Sequence, residues 1–391
     1  MKEPVIVGYV RTPISRSRPR EPEKDVFNSI RADDMAAMVI REVVKRSGID
    51  PQNIDECIFG CANQTAEQFA YGGRMFSLMA GLPLEVAALA CDRQCASAMS
   101  SIHIGAMEIM TGFSDVVVAG GVEHMTHVPM GHGVNPNPNA LKMEKRFDWL
   151  VAMNMGLTAE KLAAESGIPK KEQDEWSVRS HQLAAKAQAE GFFKGEIVPV
   201  EVTLPDGKKT VIETDQSVRP DTTLEKVASL PPAFKKDGII TAGNSSPLNA
   251  GAAAVMLMSK EAAKKYGLEP MATIKSMAWA GVDPSVMGKG PVPASQKALK
   301  AAGLQVKDID FWEINEAFAI VTLYAIKQLG IDPEKVNVKG GAIAIGHPLG
   351  MSGTRITGTL ARILEKEGGT YGLATLCVGG GQGAATIIKR E

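Results

Sequence analysis

An α/β fold, repeated within one chain, is what the sequence predicts. Three observations carry this. Strand-like and helix-like segments alternate up to about residue 120, the alternation returns after Asn249, and a stretch of different texture lies between them. Alternation of this kind indicates a sheet with helices on its faces.

Pro4 to Val10 is apolar and β-branched and reads as a first strand. Asp33 to Ser47 carries Met35, Met38, Val39 and Val43 at helical spacing, with Gly48 as the stop. Ile54 to Gly60 is a short strand. Cys95 to Thr111 is a buried helix, because small and apolar residues cover most of its faces. Asp115 to Gly120 is a buried strand ending in glycines. From about His124 to Pro247, Pro, Gly, Asn and Met become frequent, as in Gly131 to Pro138, around one strong helix, Lys171 to Gly191. This reads as an insertion lying on the core, where substrate loops often sit. Strands then follow at Ala253 to Met258 and Met271 to Ala280, a helix at Ala294 to Ala302, and a strand at Phe311 to Ile314. Thr370 to Leu376 and Gly383 to Ile388 form a final pair of strands.

The two ends of the chain resemble each other. Cys95-Ala96-Ser97-Ala98-Met99-Ser100 and His347-Pro348-Leu349-Gly350-Met351-Ser352 each open a helix of small residues. Each helix is followed by an apolar strand ending in glycines, Val116 to Gly121 and Leu373 to Gly379. The order of elements around the match predicts an internal duplication, with Cys95 and His347 at equivalent helix starts.

Composition bounds the function. Of 391 residues, 45% are hydrophobic and 22% charged, as in a globular protein with a large core. The net charge of −1 points to neither nucleic acid nor an anionic membrane as a bulk partner. No apolar run reaches the ~18 residues of a membrane span. Met1 to Arg18 lacks the apolar region and cleavage site of a signal peptide, and Lys389-Arg390-Glu391 is no peroxisomal signal, so a cytoplasmic location is expected. Five cysteines, Cys57, Cys61, Cys91, Cys95 and Cys377, are an odd set that predicts free thiols. Their pairs with His124 and His127 give no four-ligand zinc spacing, so no metal is expected. No GxxxxGK[ST] or GxGxxG loop is present, which argues against ATP and nicotinamide cofactors.

The chemistry-bearing positions are few. Cys95, in Arg93-Gln94-Cys95-Ala96-Ser97-Ala98, has small neighbours that let a carbonyl approach, and a helix start lowers a thiol pKa. An inert buried thiol is the other reading. His347 lies among glycines from Gly340 to Gly350, with Pro348 suited to a first helical position. A thiol nucleophile needs a base, and imidazole is the usual one. Cys377 precedes Val378-Gly379-Gly380-Gly381, whose N–H groups suit an oxyanion, although such a turn is equally a plain connection. Asn315-Glu316-Ala317-Phe318 follows a strand and otherwise reads as a helix cap with a solvated Glu.

Together these residues resemble the thiolase family over nearly the whole chain. Arg11-Thr12-Pro13, Arg93 to Ser97, Gly120 to Met125, Thr241 to Ser246, Asn315 to Phe318, Gly340 to Gly350 and Cys377 to Gly383 fall in the family order. Glu123 to Met130 and Asp283 to Ala294 look most like the bacterial 3-ketoacyl-CoA thiolases of fatty-acid β-oxidation. The resemblance implies a duplicated five-layer αβαβα fold with an inserted loop domain. The division it implies is 1–123 as the first part of the N-terminal half, 124–247 as a loop domain for CoA, 248–270 as the return, and 271–391 as the C-terminal half.

The same resemblance implies thiolytic cleavage of a 3-ketoacyl-CoA, reversible as a condensation. Cys95 is then the nucleophile, His347 its base, and Cys377 a second acid and base. Asn315 positions a water in one oxyanion hole to which His347 donates, and the N–H groups of Cys95 and Gly379 form the other. Ser246, Arg219 and Met155 match CoA-contacting positions. CoA is a co-substrate, with no permanently bound cofactor. The implied assembly is a homodimer or homotetramer, and the β-oxidation-like segments add a hydratase/dehydrogenase subunit as a docking partner. Three positions depart from the pattern: Ala98-Met99 for Gly-Leu, Asn154 where acetoacetyl-CoA thiolases have His, and Pro247 for Gly. They touch chain-length preference and CoA contacts. The alternatives are a biosynthetic acetoacetyl-CoA thiolase, a decarboxylating ketosynthase, and a non-catalytic lipid-binding relative.

Overall fold

The computed structural model describes residues 1–139 and 146–391. Its strands are β1 (Pro4–Arg11), β2 (Ser15–Arg16), β3 (Glu56–Gly60), β4 (Ala87–Cys91), β5 (Val116–His124), β6 (Val200–Thr203), β7 (Lys209–Ile212), β8 (Asn249–Ser259), β9 (Ala272–Gly281), β10 (Phe311–Ile314), β11 (Tyr371–Val378) and β12 (Gln382–Arg390). The N-terminal half orders its strands β1-β8-β5-β3-β4, antiparallel at the first two junctions and parallel at the last two. The C-terminal half repeats this as β9-β12-β11-β10, with two antiparallel pairs and then a parallel one. A parallel bridge from Trp312 to Val336 stands where a fifth strand would lie. Repeated order and direction together are the signature of duplication. The halves join edge to edge through only two residue pairs, Val5 with Thr273 and Ile6 with Ala272.

Two helices, Ser97–Thr111 and Ser352–Glu367, pack against each other between the half-sheets. Both are buried over most of their length, which is why small and apolar residues cover them. Helices Ala32–Ser47 and Gly72–Met79 cover the outer face of one half-sheet and Pro291–Ala302 that of the other, giving the five layers. Ile102, Met99, Ile356 and Leu360 are fully buried here, and truncating such a side chain to Ala costs about 2–5 kcal/mol.

Close approach of the halves depends on glycine. A Cβ on Gly121 would overlap the carbonyl oxygen of Gly350, and one on Gly350 would overlap that of Val122. The six-residue match between Cys95 and His347 is out of register, because the helices begin at Ser97 and Ser352. Pro348 starts a turn four residues before its helix and is not a first helical residue.

The inserted region holds helices Met155–Ser166 and Lys170–Ala189 and the β6–β7 hairpin, more structure than its texture suggested. A buried ionic cluster ties it to both halves. Arg11 donates to Glu196 at 2.7 Å and to Asp215 at 2.7 and 2.9 Å, and Thr359 donates to Glu196 at 3.3 Å. Removing one partner of such a cluster strands a buried charge, at about 3–5 kcal/mol. Among the described residues, no helix is long and apolar enough to cross a membrane, and no group of His, Cys, Asp and Glu could hold a metal ion.

Candidate active site

Cys95 stands in a 3-10 turn, Gln94–Ala96, that leads into helix Ser97–Thr111. The residue before it, Gln94, is in the left-handed region at φ 44°, a conformation that costs a non-glycine residue of order 1–3 kcal/mol. Its backbone N–H is held by the Asp92 carboxylate at 2.6 Å, and its amide donates to Ala62 O at 3.2 Å. This strain aims Cys95 at the opposite half of the chain.

What it meets there is the β11–β12 hairpin. Val378 pairs with Gln382, so Gly379, Gly380 and Gly381 form a three-residue loop, and Gly379 packs on Gln94. The N–H groups of Gly379 and of Cys95 itself lie near enough to the Cys95 sulfur to favour its thiolate. Cys377, two residues upstream, is buried and close enough to Cys95 for the two thiols to disfavour each other's ionisation. Five free thiols are present, as the odd count predicted.

Burial sets the protonation states. It pushes the Cys95 thiol up to about 11, with Glu123 and Asp92 adding to the effect and the two N–H groups partly offsetting it. The helix-start argument expected the opposite direction; desolvation outweighs it, because the sulfur faces no cation. Cys377 is raised well above its ordinary value by burial and then by Cys95. Burial, followed by the Arg355 charge, pushes His347 down to about 3, so its ring is neutral.

His347 follows Gly346, whose φ of 121° only glycine adopts readily. Its backbone N–H donates to Asn249 Oδ1 at 2.8 Å, and Asn249 Nδ2 donates to Ser15 O at 2.7 Å, which fixes the loop to the other half. Nδ1 lies 2.6 Å from Ser352 Oγ, and the amide nitrogen of Asn315 lies 3.3 Å from Nε2. Asn315 continues β10 beside the cysteine strand, its N–H donating to Thr375 O at 3.0 Å. Its Oδ1 is buried without a hydrogen-bond partner. Cys95 thus meets Gly379 and Cys377 across the halves, while Asn315 meets His347 and joins the cysteine strand at Thr375.

Two carboxylates missed in the sequence support these loops. Glu123, at the end of β5, accepts from Gly350 N at 2.8 Å, Ala62 N at 2.9 Å and Gln68 Nε2 at 2.7 Å. Glu316 is fully buried, not solvated, and its neighbour Phe318, not Asn315, precedes the next helix. It accepts from Trp176 Nε1 at 2.8 Å, Ser180 Oγ at 2.7 Å, Asn337 Nδ2 at 2.9 Å and Ile343 N at 3.1 Å. Its position in Asn-Glu-Ala-Phe was the only sequence signal.

A cavity of about 200 Å³ is lined mainly by the inserted region, with Ile343 of the His347 loop on its wall. Arg16, Arg219, Lys226 and His181 line it together with Asp221, Ser217, Thr222 and Ser245, and Lys226 donates to Asp221 at 2.6 Å. Ser246 stands between the lining residues Ser245 and Pro247, with its hydroxyl donating to Ala317 O at 3.1 Å. Met155 does not line the cavity: its sulfur faces Gly379, and it packs against the hydrophobic cluster that holds Cys377.

Comparison with known proteins agrees with this architecture. Residues 4–261 match the thiolase N-terminal domain and residues 268–390 the thiolase C-terminal domain. The chain is 48% identical to 3-ketoacyl-CoA thiolases of Marinobacter nauticus and Hahella chejuensis, covering 100% of this chain and 98% of each relative. The solved human mitochondrial 3-ketoacyl-CoA thiolase superposes with a TM-score of 0.90 at 38% identity, covering 100% of this chain and 99% of that one. The Bacillus anthracis acetyl-CoA acetyltransferase does so at 0.89 and 40%, with the same coverage. With both halves matched and full-length relatives at this identity, the chain belongs to the thiolase family.

Proposed function

We propose that the protein cleaves 3-ketoacyl-CoA with CoA, giving acetyl-CoA and an acyl-CoA two carbons shorter. One observation carries the reading: the Gly379 N–H of one half lies near enough to the Cys95 sulfur of the other to favour its thiolate, with Cys377 beside it.

His347 takes the Cys95 proton on Nε2, and the sulfur attacks the 3-keto carbon. The N–H groups of Cys95 and Gly379 hold the tetrahedral oxyanion. Its collapse breaks the carbon–carbon bond and expels the enolate of acetyl-CoA. Protonated His347, with a water on Asn315, holds the enolate oxygen, and Cys377 protonates its carbon. The thiol of CoA then gives its proton to Cys377 and attacks the acyl-enzyme, and His347 returns its proton to the departing Cys95. Each positioned acid or base is worth about 10²–10⁴-fold, and each oxyanion donor about 10²–10³-fold.

CoA is a co-substrate in this reading, its phosphates facing Arg219, Arg16 and Lys226. A solved human mitochondrial 3-ketoacyl-CoA thiolase at 37% identity is a complex with CoA, which supports CoA as the co-substrate. The open edge of β4, with Ala87 and Leu89 exposed, supports association with a second copy. A cytoplasmic location and docking to a hydratase/dehydrogenase subunit complete the proposal.

The test is thiolysis across 3-ketoacyl-CoAs of increasing length, with Cys95→Ala alongside and acetyl-CoA labelling of the protein. Cleavage of chains beyond acetoacetyl-CoA, abolished with the label in Cys95→Ala, is expected. Activity on acetoacetyl-CoA alone would favour the biosynthetic reading, and a labelled Cys95→Ala protein would remove the nucleophile.

A further inference from the structure

We infer that Arg93 is a positioning residue that sets the distance between the Cys95 turn and the Gly379 loop by bracing both at once. The inference rests on the thiolase reading and extends it to a side chain outside the reacting set.

Arg93 is half-buried immediately before the strained Gln94 that leads into Cys95. Its backbone N–H donates to Ser97 Oγ at 3.0 Å, and Ser97 Oγ donates back to Gln94 O at 2.7 Å, closing the turn around the nucleophile. Its side chain then reaches into both halves of the molecule. Nε donates to Ser100 Oγ at 3.0 Å on the first turns of the nucleophile helix. Nη1 donates to Gln382 Oε1 at 2.9 Å, on the residue that closes the glycine loop. The guanidinium lies 4.3 Å from the ring centroid of Trp279 on β9, the strand paired with β12, where a cation–π contact adds about 0.5–2 kcal/mol.

Among the described residues Arg93 forms no ion pair. Its charge is therefore held by oriented neutral acceptors and a ring, on the nucleophile helix, on Gln382 at the end of the glycine loop, and on β9. Gly379 lacks a side chain, and Gly380 and Gly381 are both in the left-handed region. The loop that carries the second oxyanion donor has little stiffness of its own; Val282 N–H holds Gly381 O at 2.7 Å, and Gln382 offers a second brace toward the nucleophile turn. A planar guanidinium with fixed donors suits this better than an ammonium.

The experiment compares Arg93→Met, Gln382→Leu and the double variant with the parent in thiolysis. The expected result is a kcat lower by roughly 10- to 10²-fold, the scale of a small misplacement of reacting groups, with KM for both substrates within about threefold. The double variant should lose no more than the worse single one, because both changes release the same brace. A general loss of structure would not give this split, and unfolding curves check it. If Arg93→Met fails to fold, Gln382→Leu carries the test. Unchanged kcat in a folded variant, a loss confined to KM, or losses that multiply in the double variant would overturn the inference while leaving thiolysis by the parent intact. A parent without thiolysis overturns it together with the reading on which it rests.

Discussion

The Nδ1 atom of His347 lies 2.6 Å from the hydroxyl oxygen of Ser352, whose one hydrogen goes to the carbonyl of Pro348 at 2.7 Å. A hydroxyl whose hydrogen is already committed can only accept. Ser352 therefore fixes the imidazole as the Nδ1–H tautomer and leaves Nε2 as the base. Ser352→Ala is expected to lower kcat by about 10-fold or more with KM little changed, since it removes the selection of tautomer but not the ring. Steady-state kinetics check this, and a kcat equal to the parent's would show that something else holds the ring.

The protonation states give a pH dependence with a definite sign. With Cys95 at about 11, its thiolate fraction rises tenfold per pH unit over the whole neutral range. Alkylation of Cys95 by iodoacetamide, followed by peptide mass spectrometry, should therefore climb with unit slope from about pH 7 to 10. A plateau below pH 8 would mean a preformed thiolate–imidazolium pair instead of two neutral groups.

Cys377 and Cys95 are distinguished by what each loses. Cys377→Ala should still take an acyl group from acyl-CoA onto Cys95. Exchange of protons at the acetyl carbon should fall by about 10²–10⁴-fold, the value of a positioned acid or base. Exchange measured in deuterated water decides this, and a normal rate would refute the assignment.

Glu316 is a structural keystone of the same site. Glu316→Ala leaves four buried donors, on Trp176, Ser180, Asn337 and Ile343, without an acceptor. The expected destabilisation is about 3–5 kcal/mol, because each stranded donor costs about 1–3 kcal/mol before the cavity relaxes or fills with water. Urea unfolding measures it, and a loss under 1 kcal/mol would contradict the hydrogen-bond pattern.

What could be read from the sequence was what is local. Gly346 next to His347, the small residues after Cys95 and the poly-glycine loop each carry their meaning in neighbouring letters. The repeated order of elements also gave the duplication, although the six-residue match placed its register wrongly. Glu316 was misjudged because its partners Trp176 and Ser180 come from the insertion, some 140 residues earlier in the chain. The direction of the Cys95 shift was misjudged for a related reason, since desolvation is a property of the packed molecule. Arg93 and Ser352 went unassigned because a brace and a tautomer lock have no spacing signature.

The pairing of β1 with β8 has a consequence for how the chain is made. Arg11 lies opposite Ala253, so during synthesis the first strand waits for a segment about 240 residues behind it. At ordinary translation rates of ~5–20 residues per second the delay is roughly 12–50 s. For that time β1 has helix Ala32–Ser47 but no strand partner on the ribosome-bound chain, whereas most of the second half-sheet pairs within a contiguous stretch. Nascent-chain aggregation and chaperone demand should therefore concentrate in the first two thirds of the chain, before the return strand emerges.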